Sequence, residues 1–370
     1  MRSSLHYKYV MIKGRYFCLN QNPIKLVFYL YFFNKSLQLH SGLIRVNPFS
    51  DIRRLIQFQL HISGHRNIIR LPFYGSLCLR VHHGYKIFDF KKKTVIKIIS
   101  PEVNPVLVTN ELEAVKNASL LDFAPKLRDC NANDRWYEED FINGCPFYAN
   151  PKSKTTIALK IFHREILPCL KQMILLQQAQ TVMLHAYVEK ILQSTNRRLE
   201  SISLIKDKES EWNSIKQFLE INSEALLLKT NTKIPLVFSH GDLSLINMLN
   251  TKKGIKVIDW EGAKPRNPLY DLFNYFFTEL YYKRISKELM PEIKQAIKAL
   301  NSSVKTYLPE IAKSFQSFSE IYRKLYYLER ICMLLMRDES ERTIKVIINT
   351  IELFDSFENK QSFLLFNKPF

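Results

Sequence analysis

The chain has 370 residues, 46% hydrophobic and 12% aromatic, which is enough to bury one large core or two modest ones and excludes a disordered tail or a small disulfide scaffold. Lys and Arg number 54 against 35 Asp and Glu, a formal charge of +19 that favours anionic partners such as phosphates, nucleic acid or acidic membranes. Six cysteines, at 18, 78, 130, 145, 169 and 332, form no Cys-x-x-Cys pair, which excludes a zinc knuckle and a dithiol redox motif and fits a reducing cytoplasm.

From Met1 to about Arg70 the sequence is basic and aromatic with weak periodicity. Met1 to Asn22 lacks the apolar core of a secretory signal. The apolar run Leu26 to Phe33 is far shorter than the about 20 residues a membrane-crossing helix needs, so it is expected to be a buried element rather than a membrane-surface patch. From Leu71 to Gly144 the pattern is strand-like. Leu77, Leu79 and Val81 alternate, Tyr85 to Phe90 is extended and aromatic, and Thr94 to Ile99 is β-branched apart from Lys97, with a turn over Asp89 to Lys93. An ammonium in the middle of such a strand needs an anionic partner. The next segment, Thr109 to Leu121, reads as a helix with Glu111, Ala114, Val115 and Ala118 on one face, which makes Glu111 the natural partner and Glu113 the fallback.

Beyond Pro146 the texture becomes helical, with apolar spacing over Leu167 to Leu192, Ser210 to Leu228, Lys287 to Leu300 and Phe315 to Met336. The stripe Ile321, Leu325, Leu328, Cys332, Leu335 reads as core. Short β-rich runs, Pro235 to Phe238 and Ile255 to Ile258, interrupt this region and flank polar loops. No internal repeat or Gly/Ser linker is present.

The polar loops carry the chemistry. They read Ser239-His240-Gly241-Asp242, then Asn247, then Ile258-Asp259-Trp260-Glu261, then Pro268-Leu269-Tyr270-Asp271. Phosphoryl transfer needs a carboxylate within reach of the attacking hydroxyl, together with oxygen ligands for magnesium, and Asp242, Asn247 and Asp259 are of those types. Each piece alone is ordinary: a His-Gly-Asp is usually a turn, and a buried lysine is usually in a structural ion pair. Their combination in this order resembles the phosphotransferase family of aminoglycoside phosphotransferases and choline/ethanolamine kinases.

That resemblance implies an α+β, two-lobed, protein-kinase-like fold. Residues 1–70 would be an extension on the small lobe, 71–144 a nucleotide-binding antiparallel-sheet lobe ending in a hinge, and 145–370 a helical lobe with catalytic loop and metal site. It further implies that Asp242 is the catalytic base with His240 supporting its loop, that Asn247 and Asp259 hold Mg2+, and that Lys97 bridges ATP phosphates with Glu111 as its partner. Backbone groups near Asp140 and Ile142 would meet the adenine, and Asp271 would brace the catalytic loop. The turn at His82-His83-Gly84, where a phosphate-covering loop is expected, holds a single glycine.

The implied activity is ATP- and Mg2+-dependent phosphorylation of a hydroxyl on a small molecule or a cell-envelope glycan, in the cytoplasm or peripheral to the inner face of the membrane. An acidic membrane is a further expected contact. The alternative is a catalytically retired module that binds a partner or an acidic membrane. A choline-like acceptor would want an aromatic cage, for which Trp260, Tyr275, Tyr281, Tyr282, Tyr326 and Tyr327 are the candidates. Nucleic-acid binding rests on charge alone and is not expected.

Overall fold

The computed structural model describes residues 6–12, 15–22, 24–26, 28–29, 50, 53–54, 56–57, 68–146, 156–176, 179–202, 209–283, 289–336 and 341–358. The first strands are β1 (Tyr7–Ile12), β2 (Arg15–Cys18), β3 (Ile68–Leu71), β4 (Leu77–Val81), β5 (Gly84–Asp89) and β6 (Thr94–Ile99). Helix α1 (Pro105–Ala118) follows, then β7 (Leu127–Asn131), β8 (Trp136–Asp140) and β9 (Cys145–Pro146). Next come α2 (Thr156–Ile161), a π-helical turn, α3 (Leu167–Leu176), β10 (Gln180–Met183), α4 (Leu184–Ile202), α5 (Glu209–Leu227) and β11 (Lys233–Ser239). The chain continues through β12 (Met248–Thr251), β13 (Gly254–Val257), β14 (Lys264–Arg266) and α6 (Tyr270–Lys283). It closes with α7 (Leu289–Val304), α8 (Pro309–Ser317), α9 (Ser319–Leu335) and α10 (Glu341–Glu358).

These elements form two compact units: Met1–Pro151 with Leu245–Ala263, and Lys152–Ser244 with Lys264–Phe370. Residues 245–263 therefore fall in the first unit rather than with the helical lobe where the sequence places them. The reason is pairing. Strand β12 hydrogen-bonds both β13 and β9, and the Val257 amide donates to the Phe123 carbonyl at 2.8 Å.

The first unit is built on an antiparallel sheet in the order β3-β1-β2-β4-β5-β6-β8-β7. Alternation along each strand feeds two apolar layers: Phe17, Leu77, Leu79, Phe88 and Val95 on one face, and Tyr16, Cys78, Ile87 and Ile96 on the other. Ile99 lies on the Val95 face, where α1 packs Val108, Leu112 and Val115 against it and Tyr137. Helix α1 starts where Asn104 caps the Val106 amide at 2.9 Å with Pro105 at its first position. Its buried face contains Glu111, Ala114, Val115 and Ala118, as the spacing predicts, and Glu113 is exposed.

The second unit is mostly helical around a three-stranded sheet, β10-β11-β14. Two of the expected helices are each divided. Strand β10, paired with β11, and the preceding break separate α3 from α4 within Leu167 to Leu192, and Phe318 ends α8 before α9 begins. Helix α9 packs on α4, α5, α6 and α10. Its Tyr326 stacks on Phe277 with centroids 5.6 Å apart, and Tyr327 stacks on Phe354 at 4.1 Å.

Among the described residues no helix is long and apolar enough to cross a membrane. Of the run Leu26 to Phe33, Leu26 is buried and Phe28 exposed, and residues 27 and 30–33 lie outside the described residues. All six cysteines are free thiols.

Candidate functional site

In the first unit, the register of β5 and β6 sets Lys86 directly opposite Lys97, so both side chains leave the same face of the sheet. Lys97 lies between Val95 and Ile99 on the face that α1 covers, with its side chain only 1% exposed. Its Nζ is 2.6 Å from Glu111 Oε1, and it also donates to Glu261 Oε2. Lys86 Nζ donates to Asp259 Oδ1 at 2.8 Å and stands 3.9 Å from Glu261 Oε2. Burial alone would pull both ammonium groups down. The neighbouring carboxylates more than offset it, Asp259 and then Glu261 for Lys86, Glu261 and then Glu111 for Lys97, and both lysines are held above their ordinary value.

Asn247 and Asp259 come together through the β12–β13 hairpin. Asn247 precedes the first residue of β12, Asp259 follows β13, and the Ile258 amide donates to the Asn247 carbonyl at 3.0 Å. Asp259 adopts a left-handed backbone, φ 72° and ψ 52°, that an aspartate tolerates better than most residues. Trp260 then opens a short helical turn, buries its ring against Phe123 and donates its indole N–H to the Val257 carbonyl at 2.8 Å.

Glu139 on β8 lies beside this group. Burial pushes its carboxyl up to about 7, with Lys86 working against the shift.

In the second unit, β11 delivers His240, Gly241 and Asp242 into a turn held by Asp271 near the start of α6. One Asp271 oxygen accepts the His240 amide at 2.8 Å and the other the Gly241 amide at 2.9 Å. His240 is buried, and its Nδ1 accepts the Asp242 amide at 3.1 Å, so the ring supports the loop. Gly241 has φ 84°, and a Cβ there would lie 2.6 Å from the Arg266 guanidinium. Asn274 donates to the Leu243 carbonyl at 3.0 Å, so α6 fixes the loop at two places. The Asp242 side chain receives Arg330 from α9, with Nη1 3.0 Å from Oδ1. Burial disfavours the charged guanidinium, but Asp242, ahead of Tyr326 and Tyr270, raises it well beyond its ordinary value.

Within each unit the structure brings together the residues that the sequence singles out: Lys97 with Glu111, Asn247 with Asp259, and Asp242 with His240 and Asp271. The hinge segment is less open than expected. The Asp140 amide already donates to the Lys126 carbonyl at 3.0 Å, and its carboxylate pairs with Arg128 at 2.7 Å, while Ile142 lies past the end of β8, outside any helix or strand. The aromatic candidates are core. Trp260, Tyr275, Tyr326 and Tyr327 are all buried, and the side chains of Tyr281 and Tyr282 lie outside the described residues.

Sequence reasoning missed Lys86, Glu261, Arg330 and Arg266. Lys86 carried the same signal as Lys97, an ammonium inside the apolar strand Tyr85-Lys86-Ile87-Phe88. Arg330 gave none, because only the packing of α9 aims it at Asp242.

The donor pair Asn247 and Asp259 offers only oxygen, one amide and one carboxylate, and fits a hard cation such as Mg2+ that keeps much of its water. Among the described residues no group of three or more His, Cys, Asp or Glu could hold a metal ion.

A family model described as choline/ethanolamine kinase matches residues 80–360. No curated protein matches the chain. Among solved structures, a choline kinase from Cryptosporidium parvum aligns with TM-score 0.50 and 14% identity over 82% of this chain and 89% of that one. An ethanolamine kinase from Plasmodium vivax aligns with TM-score 0.48 and 16% identity over 90% of each chain. An ADP-bound aminoglycoside phosphotransferase aligns with TM-score 0.43 and 17% identity over 71% of this chain and 86% of that one.

Proposed function

Because the chain belongs to the choline/ethanolamine kinase family and is therefore a phosphotransferase with a small-molecule acceptor, we propose that it moves the γ-phosphoryl group of ATP onto the hydroxyl of a small amino alcohol. Asp242 accepts the hydroxyl proton as the acceptor oxygen bonds to the γ-phosphorus and the bond to the β-phosphate oxygen breaks, releasing ADP. Lys97, fixed by Glu111 and Glu261, orients the phosphates. Asn247 and Asp259 would hold Mg2+, which when bound neutralises charge on the phosphates. His240 and Asp271 act through the loop. Segment 140–142, with Asp140 and Ile142, would receive the adenine once the Asp140 amide is released from Lys126.

The observation that carries this reading is the Asp271 carboxylate gripping two successive backbone amides, which fixes the backbone on the N-terminal side of Asp242. A base must be positioned before it is useful, and effective general-base catalysis contributes about 10²–10⁴-fold.

The test is transfer from γ-labelled ATP with magnesium into choline, ethanolamine, sugar, glycan and lipid fractions, run beside Asp242→Asn. Label is expected in the amino-alcohol fraction with the native chain and to fall by about 10³-fold in the variant, with nucleotide binding retained. Full transfer by the variant would sink the assignment of Asp242. Label confined to the glycan or lipid fraction would replace the acceptor.

A further inference from the structure

Lys86 is a buried cation to which the reaction above gives no task. Its side chain is 11% exposed and sits directly across the β5–β6 ladder from Lys97. Like charges in opposed positions of a sheet repel, so two lysines at this register are costly unless anions compensate them. Lys97 already has Glu111 and Glu261. Lys86 is matched to Asp259, whose side chain is 40% exposed and which is the proposed metal ligand. A cation 2.8 Å from Oδ1 competes with any metal for that oxygen, so Asp259 cannot serve a metal fully while Lys86 stays where it is.

The neighbouring turn sharpens the point. Strands β4 and β5 are joined through His82 and His83, with Val81 paired to Gly84. The space where a Gly84 side chain would lie is filled by the Ile98 carbonyl, so this glycine serves close packing of β5 on β6. The turn thus has no glycine left to let its backbone approach a phosphate.

Building on the reading of Asp259 as a metal ligand, we propose that Lys86 is a second phosphate-contacting lysine, held by Asp259 until nucleotide arrives and then passed to a phosphate oxygen as Asp259 turns to the metal. Once Asp259 is taken, Lys86 keeps only Glu261 at 3.9 Å, a carboxylate it shares with Lys97, and the polyphosphate supplies a further anion beside Lys97.

The experiment is titration of a fluorescent ATP analogue into the full chain, in magnesium and in EDTA, for the native protein, Lys86→Met, Lys86→Arg, Asp259→Asn and Asp259→Asn with Lys86→Met. In magnesium, Lys86→Met is expected to weaken binding about tenfold, the worth of a charge-assisted hydrogen bond, and Lys86→Arg to weaken it by less. In EDTA, Asp259→Asn takes from Lys86 the carboxylate it hydrogen-bonds, leaving Glu261 at 3.9 Å, and is expected to bind the analogue more tightly than the native chain, a gain that the added Lys86→Met removes. Binding by Lys86→Met within about twofold of native in magnesium would overturn the proposal, since that is well under the worth of such a bond. If Lys86→Met fails to fold by circular dichroism, the Asp259→Asn arm in EDTA decides alone, and no gain there overturns the proposal. Failure of the native chain to bind the analogue in magnesium would instead overturn the ATP reading of the preceding subsection, a result separable from the others.

Discussion

Around Lys86 and Lys97 the first unit holds carboxylates with side-chain cations, whereas the second holds Asp271 with backbone amides. Around Lys97 and Lys86, three carboxylates and two ammonium groups share one face of a sheet, and each depends on the charge of its neighbours. Around Asp271 the donors are peptide N–H groups of His240 and Gly241, whose dipoles cannot be titrated or rearranged by rotamer changes. One centre is adjustable by ligand and pH. The other is fixed by the path of the chain. The second unit also holds a side-chain ion pair, Arg330 with Asp242, while the backbone that leads into Asp242 is set by Asp271.

The comparison breaks most visibly at Lys97. Lys97→Met removes the cation from buried Glu111, while Glu261 keeps Lys86 at 3.9 Å, so the chain is expected to lose about 3–5 kcal/mol, read as a lower urea midpoint with an unchanged slope. A loss below about 1 kcal/mol, the worth of an exposed pair, would show that the cluster relaxes to solvent. In the second unit the equivalent break is geometric. Gly241→Ala keeps every charge but sets a Cβ against Arg266 at a left-handed φ, and is expected to cost about 1–3 kcal/mol and to lower transfer. A variant with native melting temperature and native transfer would show that the turn is not held rigidly.

The smallest effect sharpens the contrast in pH. A carboxyl raised from 4.5 to about 7 binds more protons folded than unfolded, so Glu139 makes stability fall as pH rises through that window. The groups that face it are Lys86 and Lys97, which oppose the shift, and Asp259 and Glu261, which add to it. In Glu139→Gln the melting temperature is expected to fall less between pH 5 and 7 than in the native chain. Parallel curves would remove Glu139 as the source.

Much of this was legible in the sequence because local pattern and chemistry agree. The β-branched run around Lys97, the three-and-four spacing that puts Glu111 on the buried face of α1, and the His240 to Asp271 series each carry their own signal. What stayed hidden depends on tertiary packing. Strand β10 is four residues whose extended form comes from pairing with β11, so the surrounding apolar spacing reads as one helix. The assignment of residues 245–263 to the first unit rests on pairing with β9, a two-residue strand too short to announce itself. Arg330 could not be read, since no periodicity states which side chain a helix aims at a distant loop.

The discontinuity of the first unit has a consequence for biosynthesis. Its sheet is spelled out by residue 146, yet the hairpin that brings Asp259 and Glu261 is encoded only at 245–263, after the helices and sheet strands of the second unit have begun to emerge. At about 5–20 residues per second, the nascent chain waits roughly 5–20 s between the two segments. The carboxylate that Lys86 ends beside thus lies 173 residues further along the chain than the lysine itself.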